Sequence, residues 1–377
     1  MTDKRLGFGL MRLPLLNSED ESSIDLETMK KMVDVFLERG FTYFDTAWMY
    51  CGFKSEEAIR KALVERHPRD SFTLATKLHG AFFDTLEGRD EVFNKQLQNC
   101  GVEFFDYYLL HDVGRDQYKK YTEFDCFNWL SEKKRQGLVH HIGFSFHDGP
   151  EMLDEVLTAH PEMEFVQLQL NYLDWENHGV QSRACYETAV RHGKKVIVME
   201  PVRGGTLARL PKEAEDILHS LQPGRSIPSW AIRFAAHPEN VMMVLSGMSS
   251  MEQMLDNTDT MLHYEPLTEE EHAAILKTVD IIEKAMAIPC TGCSYCTTTC
   301  AMQIPIPRYF SLYNMDKYEQ LIGGWRPQKE YYDRLTQRSA SPDECAECGA
   351  CEEICPQKLE IRELLKTVSA YFAAKTE

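Results

Sequence analysis

Short apolar segments rich in β-branched and aromatic residues recur about every 30 residues along the chain, and a stretch with helical spacing follows each of them. This alternation predicts repeated βα units, of which eight can be counted. Eight such units close naturally into a barrel, whereas an open doubly wound sheet more often stops at about five to seven strands. We therefore predict an α/β fold, a (β/α)8 TIM barrel, with strands at residues 6–9, 42–45, 72–76, 105–110, 140–145, 165–169, 196–199 and 241–245.

The sequence predicts both the apolar face and the end of the first helix. Residues 26–39 place Met29, Met32, Val33 and Phe36 on one face, together with Leu37. Gly40 follows directly and supplies a stop, because glycine readily adopts the left-handed conformation that ends a helix. The sequence therefore predicts an amphipathic helix packed on the barrel.

The chain is long enough for more than one domain. It has 377 residues, whereas a barrel of this type needs roughly 250. The βα pattern breaks at residues 287–289, so we predict a barrel over residues 1–285 and a second, smaller domain over residues 286–377. Residues 301–344 carry many aromatic side chains and prolines, which predicts ordered structure there instead of a linker.

Eight of the twelve cysteines lie in two runs near the end of the chain. Each run has the spacing C-x2-C-x2-C-x3-C, and Pro356 follows the second run directly. Three thiolates at this spacing can surround one face of a [4Fe-4S] cluster, and the fourth cysteine of such paired runs binds the other cluster. We therefore predict two [4Fe-4S] clusters, one held by Cys290, Cys293, Cys296 and Cys355, and the other by Cys345, Cys348, Cys351 and Cys300.

Over about residues 286–365 these runs resemble the bacterial two-cluster ferredoxins. The segment between the runs is longer than in compact ferredoxins, and no proline follows Cys300 directly. A pair of structural zinc sites is the alternative, although such sites usually combine two C-x2-C pairs. The scattered cysteines Cys51, Cys100, Cys126 and Cys185 are interpreted as incidental thiols.

Charge and hydropathy exclude several classes of partner. The formal net charge is -18, with acidic and basic residues mixed along the chain, so a nucleic-acid backbone would be repelled. No segment approaches the roughly 18 apolar residues of a membrane span, and the first residues lack the apolar region of a signal peptide. Cysteines concentrated in ligand runs are typical of a reducing compartment. We expect a cytoplasmic protein that binds neither membrane nor nucleic acid.

Four polar residues stand at the carboxyl ends of predicted strands, where barrels place their catalytic groups. Asp45 and Tyr50 follow the second strand, Lys77 ends the third, and His111 ends the fourth. Because the carboxyl ends of parallel strands meet at one mouth of a barrel, we expect these four side chains to lie close together.

These residues lie in the motif D-T-A-x-x-Y at residues 45–50, the strand-end lysine, and L-L-H at residues 109–111. Together the motifs resemble the aldo-keto reductase family over about residues 5–260. The resemblance implies a small carbonyl or alcohol substrate and NADH or NADPH as the cofactor. Carbonyl reduction adds a hydride to carbon and a proton to oxygen, so it needs a positioned proton donor. Tyr50 would be that donor, made more acidic by Lys77, whose position Asp45 would fix, while His111 would donate to the substrate carbonyl or orient it. The resemblance also implies a cofactor pocket built from residues at several strand ends, namely Gly9, Leu10, Met11, Ser145, Gln167, Met199, Glu200, Pro201, Arg203, Gly205, Gly247, Gln253, Asp256 and Asn257.

The predicted pocket departs from the family pattern at three positions. Phe146 stands where the family usually has an asparagine, and Met199 where an aromatic residue stacks on the nicotinamide. Gln253 replaces the arginine that typically grips the 2′-phosphate of NADP, which leaves the choice between NAD and NADP open.

The leading interpretation of the whole chain is an NAD(P)H-dependent carbonyl reductase or alcohol dehydrogenase. Its clusters would exchange electrons with a redox partner protein or stabilise the fold. A hydride carries two electrons and each cluster accepts one, so a ferredoxin-linked enzyme with FMN in the barrel is the alternative. A third possibility is an electron carrier that uses the barrel as a scaffold.

Overall fold

The computed structural model describes residues 4–176, 180–285, 287–322 and 328–374. The chain divides into two compact units, the first comprising residues 1–176, 181–202 and 228–267, and the second residues 177–180, 203–227 and 268–377. The second unit thus includes residues 203–227 besides the cysteine runs. Met286, at which the predicted second domain begins, lies outside the described residues, and the division at that point stays a prediction.

The first unit contains a closed barrel of eight parallel strands that pair in chain order, with β8 returning to β1. The predicted (β/α)8 barrel is therefore confirmed. The strands are β1 (Leu6–Gly9), β2 (Tyr43–Asp45), β3 (Thr73–His79), β4 (Phe105–Val113), β5 (Val139–Phe146), β6 (Phe165–Gln169), β7 (Lys195–Met199) and β8 (Val241–Gly247).

Strands β3 and β4 extend further toward their carboxyl ends than the sequence pattern predicted. The ladder between them continues through the pairs Lys77 with Leu109 and His79 with His111. All four of these residues are buried, so polar side chains continue the strands beyond the apolar residues that marked them. Lys77 and His111 consequently lie inside their strands.

Two glycines allow close packing within the barrel. Buried side chains from six strands, among them Tyr43, Leu109, Phe165 and Leu245, form one apolar cluster. A Cβ atom at Gly7 would lie 2.5 Å from a Leu245 methyl carbon, and one at Gly143 would collide with the Phe165 carbonyl oxygen. Glycine is required at position 143 because a backbone carbonyl occupies the space, whereas a larger residue at position 7 would force the Leu245 side chain to move.

The helices follow the strands as the repeat predicted. The α-helices are α1 (Leu26–Glu38), α2 (Tyr50–Phe53), α3 (Ser55–Ile59), α4 (Leu86–Cys100), α5 (Arg115–Glu123), α6 (Cys126–Arg135), α7 (Pro150–Ala159), α8 (Ser182–Arg191), α9 (Lys212–Leu221), α10 (Ile227–Ala236), α11 (Met251–Leu262), α12 (Glu269–Ala285), α13 (Tyr295–Thr299), α14 (Ile306–Ile322), α15 (Gln328–Arg338), α16 (Ala350–Glu353) and α17 (Ile361–Ala373). Shorter helical turns cover Arg60–Val64, Arg69–Ser71, Gly80–Phe82, Arg203–Ala208 and Pro342–Glu344. Among the described helices, none is both long enough and apolar enough to span a membrane.

The second unit is helical around the cysteines. Helices α14 and α15 lie between the two runs, as the aromatic and proline content of residues 301–344 predicted, although residues 323–327 lie outside the described part. Tyr309 and Phe310 of α14 and Phe372 of α17 belong to one apolar cluster with Cys296 and Cys355. The cysteines are therefore embedded in the core of this unit.

Candidate active site

A buried ion pair lies at the carboxyl end of the barrel. The Lys77 ammonium donates to the Asp45 carboxylate and, over 2.8 Å, to the Thr46 carbonyl oxygen. The Lys77 side chain is 0% exposed and that of Asp45 is 3% exposed. Burial alone would lower the pKa of Lys77, but attraction to Asp45 and Tyr50 outweighs it and raises that pKa above its usual value. Lys77 therefore stays charged at neutral pH.

Tyr50 lies beside this pair at the start of α2. Its ring centre is 4.9 Å from the Lys77 ammonium nitrogen, and the Tyr50 hydroxyl also takes part in a hydrogen bond with Lys77. The ring of His111 meets that of Tyr50 edge-on, with 5.8 Å between ring centres. The structure thus brings the four predicted catalytic side chains, those of Asp45, Tyr50, Lys77 and His111, into one cluster.

The backbone turns sharply after Tyr50. Cys51, Gly52 and Phe53 all have positive φ angles, of 52°, 58° and 66°. Two of the three are not glycine, and such residues rarely adopt this left-handed conformation unless the surrounding structure holds them there. Cys51 is held through its thiol, which lies 3.5 Å from the Leu10 carbonyl oxygen. This turn sets the direction in which the chain leaves the site.

The sequence predicted that Lys77 would make Tyr50 more acidic, but in the structure the pKa of Tyr50 is raised. Lys77 and Arg12 act in the expected direction and lower the pKa of the phenol. Removal from water has the larger effect, and with the negative charge of Asp45 it raises the pKa of Tyr50 above its ordinary value near 10. Tyr50 is therefore fully protonated at neutral pH, which is the form that a proton donor requires.

His111 is held as a neutral imidazole. Burial lowers its pKa well below the usual value, and the neighbouring His79, Lys77 and His147 lower it further. Its Nδ1 atom is buried and has no hydrogen-bond partner among the described residues. A neutral ring can still donate one N–H, so His111 can hold a carbonyl oxygen without competing with Tyr50 as the acid.

Two further histidines belong to this cluster, and the sequence interpretation missed them. The ring centre of His79 lies 5.5 Å from that of His111, and the pKa values of His79 and His147 are both lowered to about 4 by burial. His79 follows Lys77 by two residues and His147 follows Ser145 by two. Because alternate strand residues share a face, that spacing was the signal that could have found His79, whereas His147 lies just beyond the end of β5.

A buried carboxylate supports the strand that carries Lys77. Glu56 of α3 accepts hydrogen bonds from Thr76 (2.8 Å), Gln96 (2.7 Å) and Asn99 (3.1 Å). The Gln96 amide also donates to the Lys77 carbonyl oxygen over 3.0 Å. Burial raises the pKa of Glu56, and these donors oppose the rise. Glu56 lies in the helix that follows the D-T-A-x-x-Y motif, where nothing in the sequence separates it from a surface residue.

The predicted nicotinamide partners are neighbours on adjacent strands. Ser145 of β5 pairs in register with Gln167 of β6, and both side chains are buried. The Ser145 hydroxyl accepts a hydrogen bond from the Asp112 backbone N–H over 2.8 Å. The Gln167 Oε1 atom is buried without a partner among the described residues. An unfilled acceptor of this kind fits the amide N–H groups of a nicotinamide carboxamide.

Other predicted pocket residues lie around the same end of the barrel. Gly9 of β1 pairs with both Asp45 and Gly247. Leu10 is buried and donates its backbone N–H to the Asp45 carbonyl oxygen, whereas Met11 is 41% exposed. Met199 ends β7 and is partly exposed, and Pro201 is buried.

Glu200 and the last loop are held by local hydrogen bonds. The Arg12 guanidinium forms an ion pair with Glu200 at 3.0 Å, an interaction that the sequence did not reveal. The Gln253 side chain accepts the Ser249 N–H over 2.7 Å, and Gln253 is exposed. Asn257 is buried and donates to the Ser246 hydroxyl over 3.1 Å, while Asp256 is partly exposed.

Arg203 and Gly205, two residues of the predicted cofactor pocket, belong to the second unit, and their role in binding the cofactor stays a prediction. Arg203 is completely buried, and its guanidinium donates to the Pro289 carbonyl oxygen (3.1 Å) and the Gln357 side-chain oxygen (3.4 Å). Gly205 is exposed with φ at 98°. Arg203 therefore serves the cysteine segment, because its hydrogen-bonding groups are directed to residues beside the cysteine runs.

The eight cysteines of the two runs line two cavities in the crossed arrangement that the spacing predicted. One cavity is lined by Cys290, Cys293, Cys296 and Cys355. We call it the first cysteine cavity. The second cysteine cavity is lined by Cys300, Cys345, Cys348 and Cys351.

Both cavities suit a cluster better than a single ion. Structural zinc sites usually combine two C-x2-C pairs, whereas each of these cavities is lined by three cysteines of one run and one cysteine of the other. In the described part of the chain, no three Cys, His, Asp or Glu side chains converge as ligands of one ion. Burial raises the pKa of Cys293 to about 12 and of Cys351 to about 11, so the thiols would lose protons as iron binds. The Ile304 N–H donates to Cys300 Sγ at 3.4 Å, a bond that stabilises a ligated sulfur.

Two sequence families match the chain. The model of the Aldo/keto reductase family matches residues 5–280, and that of the 4Fe-4S dicluster domain matches residues 289–359. An uncharacterized oxidoreductase of Schizosaccharomyces pombe is 23% identical over 273 residues, which cover 68% of this chain and 81% of that protein. The 4-dihydromethyl-trisporate dehydrogenase of Mucor mucedo is 24% identical over 254 residues, or 58% of this chain and 78% of the relative.

Solved structures agree with the barrel. An aldo-keto reductase from Bacillus halodurans in its holo form has 25% sequence identity and a TM-score of 0.58, covering 73% of this chain and 91% of its own. An aldo-keto reductase from Klebsiella pneumoniae in complex with NADPH has 17% identity and a TM-score of 0.58, covering 72% of this chain and 90% of its own.

Proposed function

The chain belongs to the aldo/keto reductase family and carries a 4Fe-4S dicluster domain, and we propose that it is an NADPH-dependent carbonyl reductase whose clusters exchange electrons with a partner protein. The observation that carries the reductase proposal is the convergence of Asp45, Tyr50, Lys77 and His111. NADPH is favoured because it is bound in the Klebsiella pneumoniae relative. The flavin alternative lacks comparable support.

In this proposal Tyr50 supplies the proton. It is protonated at neutral pH, and transfer of its proton to a carbonyl oxygen leaves a phenolate beside the Lys77 ammonium. That ammonium is already held in place by Asp45 and Thr46, so little reorganisation accompanies the new charge. The lysine therefore stabilises the state after proton transfer more than the state before it, which lowers the barrier.

His111 orients the substrate. As a neutral imidazole it can donate an N–H to the carbonyl oxygen, and its edge-on contact with Tyr50 supports a joint role of the two side chains at that oxygen. A bound nicotinamide supplies the hydride, and Gln167 with Ser145 would hold its carboxamide. The residues fit this group, because Gln167 leaves a buried acceptor for it.

The cluster domain has a different task. Each [4Fe-4S] cluster takes up one electron at a time, which suits exchange with a one-electron carrier. Cys348 of the second cysteine cavity is exposed, whereas Cys296 and Cys355 of the first are buried. The exposed sulfur makes the second cavity the better exchange point for a partner protein in a reducing, cytoplasmic compartment.

An anaerobic assay tests both parts. Purified protein with its clusters assembled is mixed with NADPH or NADH and a panel of aldehydes and ketones, and absorbance is followed at 340 nm and in the cluster band. We expect loss of NADPH only when a carbonyl is present, with NADH slower. If no carbonyl causes oxidation of either nucleotide, the reductase proposal is wrong. Failure of a ferredoxin or flavodoxin panel to change the cluster band would remove the electron-exchange role.

A further inference from the structure

The side chain of Gln357 lies beside the first cysteine cavity. Gln357 follows Cys355 by two residues, is 7% exposed, and lines the same cavity as the four cysteines. Its Oε1 atom accepts a hydrogen bond from the Arg203 guanidinium at 3.4 Å. The Gln357 amide is thus buried, and its oxygen is hydrogen-bonded to Arg203.

That connection fixes which way the amide faces. A guanidinium can only donate hydrogen bonds, so the amide atom facing Arg203 must be the oxygen, and the NH2 group is directed elsewhere. The Gln357 Nε2 atom is buried and has no hydrogen-bond partner among the described residues. A buried donor without an acceptor is costly, and it therefore points to an acceptor that occupies the cavity.

Arg203 hydrogen-bonds to residues near the first and the last cysteine of this cavity. Besides Gln357 it donates to the Pro289 carbonyl oxygen at 3.1 Å, and Pro289 directly precedes Cys290. Arg203 is 0% exposed, so water does not compete for these bonds. The Arg203 guanidinium therefore connects Pro289, which precedes the ligand Cys290, with Gln357, which lies two residues after the ligand Cys355.

We propose that the Gln357 amide donates an N–H hydrogen bond to a sulfur of the cluster in the first cysteine cavity, that Arg203 holds the amide in this orientation, and that the bond raises the reduction potential of that cluster. The inference rests on the proposed binding of [4Fe-4S] clusters. One-electron reduction adds negative charge to a cluster, and a donor to its sulfur stabilises the reduced state more than the oxidised one. Gln357 and Arg203 are thus positioning and tuning residues.

The second cysteine cavity serves as the internal reference. Its charged lining residue, Arg362, is paired with the Glu352 carboxylate at 2.8 Å. The substitution Gln357→Met keeps the side-chain length but removes the N–H donor. Arg203→Met removes the guanidinium, and Gln337→Met exchanges an exposed glutamine of α15 for methionine.

The experiment is a redox titration of the full-length protein followed by EPR, after iron and acid-labile sulfide have been measured. We expect Gln357→Met to lower one of the two midpoint potentials and to leave the other unchanged. Arg203→Met should shift the same potential in the same direction and by more, because it also removes a buried positive charge beside Cys290. The double variant should shift it by less than the sum of the two single changes, because both disrupt the same hydrogen bond. Gln337→Met should leave both potentials unchanged. Unchanged potentials in a Gln357→Met protein with full iron content would overturn the proposal.

A second measurement needs no substitution. Wild-type protein with 15N in its glutamine side chains is reduced and examined by pulsed EPR, and a coupling between one 15N nucleus and one cluster is expected. Its absence in protein with full iron content contradicts the proposal even if the variants fail to assemble. Wild-type protein without iron and sulfide would refute cluster binding itself, a failure that the iron measurement separates from the tuning role.

Discussion

The Lys77 ammonium lies 4.9 Å from the centre of the Tyr50 ring while it donates to the buried Asp45 carboxylate. Asp45 and Lys77 therefore have different roles toward Tyr50. Asp45 keeps Lys77 charged in a dry environment, and Lys77 in turn provides the positive charge that a Tyr50 phenolate would need. The effect of the lysine is therefore largest at the moment when the phenol has given up its proton.

Removing the Tyr50 hydroxyl should remove most of the activity. For Tyr50→Phe we expect kcat/KM for carbonyl reduction to fall by about 10²- to 10⁴-fold, the usual contribution of a positioned acid. The Kd for NADPH should not change, because the hydroxyl serves the substrate carbonyl. Stopped-flow absorbance and fluorescence titration measure the two quantities. Tyr107→Phe, in the amino-terminal half of β4, is the matched control and should keep full activity. Equal rates in wild type and Tyr50→Phe would contradict the assigned role.

The pH dependence should differ between the two directions of the reaction. The pKa of Tyr50 is raised above its usual value near 10, so the phenol remains a proton donor throughout the neutral range. Reduction should therefore be independent of pH up to about 10, whereas alcohol oxidation, which needs the phenolate, should rise about tenfold per pH unit below that pKa. In Lys77→Met the pKa rises further, so oxidation measured at pH 9 should fall more than reduction does. A reduction rate that declines already between pH 7 and 8 would contradict this assignment.

The fold was largely predictable because its signals are local and repeated. A short apolar run predicts each strand, and eight such runs favour a barrel topology. The prediction failed at the carboxyl ends of β3 and β4, where polar residues such as His79 continue the strand. Those residues are buried by their neighbours across the ladder, and hydropathy along the chain does not record such neighbours.

The sequence predicted some residues of the candidate site and missed the partners of others. Lys77 and His111 stand in recognisable motifs at strand ends, and the structure brings them together with Asp45 and Tyr50. Arg203 was included in the predicted cofactor pocket by its position in the loop after β7, but the partners that the structure shows for it, Pro289 and Gln357, are far away in the sequence. Likewise, Glu56 meets its partners only after α4 has packed beside α3. Long-range hydrogen bonds of this kind leave no local pattern.

The carboxylate behind Lys77 should contribute to stability. Glu56→Ala leaves the buried Thr76 hydroxyl without its acceptor, at a cost of about 1–3 kcal/mol, while Gln96 loses one acceptor and keeps the Lys77 carbonyl oxygen. Glu56→Gln keeps one acceptor oxygen and the same shape, so it should lose roughly half as much. Urea unfolding followed by far-UV circular dichroism and by fluorescence measures the free energy of unfolding for both variants. Equal stability of Glu56→Ala and wild type would show that this network does not support the strand.

The crossed arrangement of the cysteines gives the sharpest test of the second unit. Cys355 belongs to the second run in sequence but shares the first cysteine cavity with Cys290, while Cys300 shares the second cavity with Cys345. Cys355→Ala should therefore alter the same EPR signal as Cys290→Ala, and Cys300→Ala the same signal as Cys345→Ala. Each variant should lose about half of the iron, because one cluster is impaired and the other keeps all its ligands. Cys185→Ala, a buried cysteine of the first unit, is the matched control and should keep both signals. If Cys355→Ala instead shared its signature with Cys345→Ala, each run would bind its own cluster and the crossed ligand sets would be wrong.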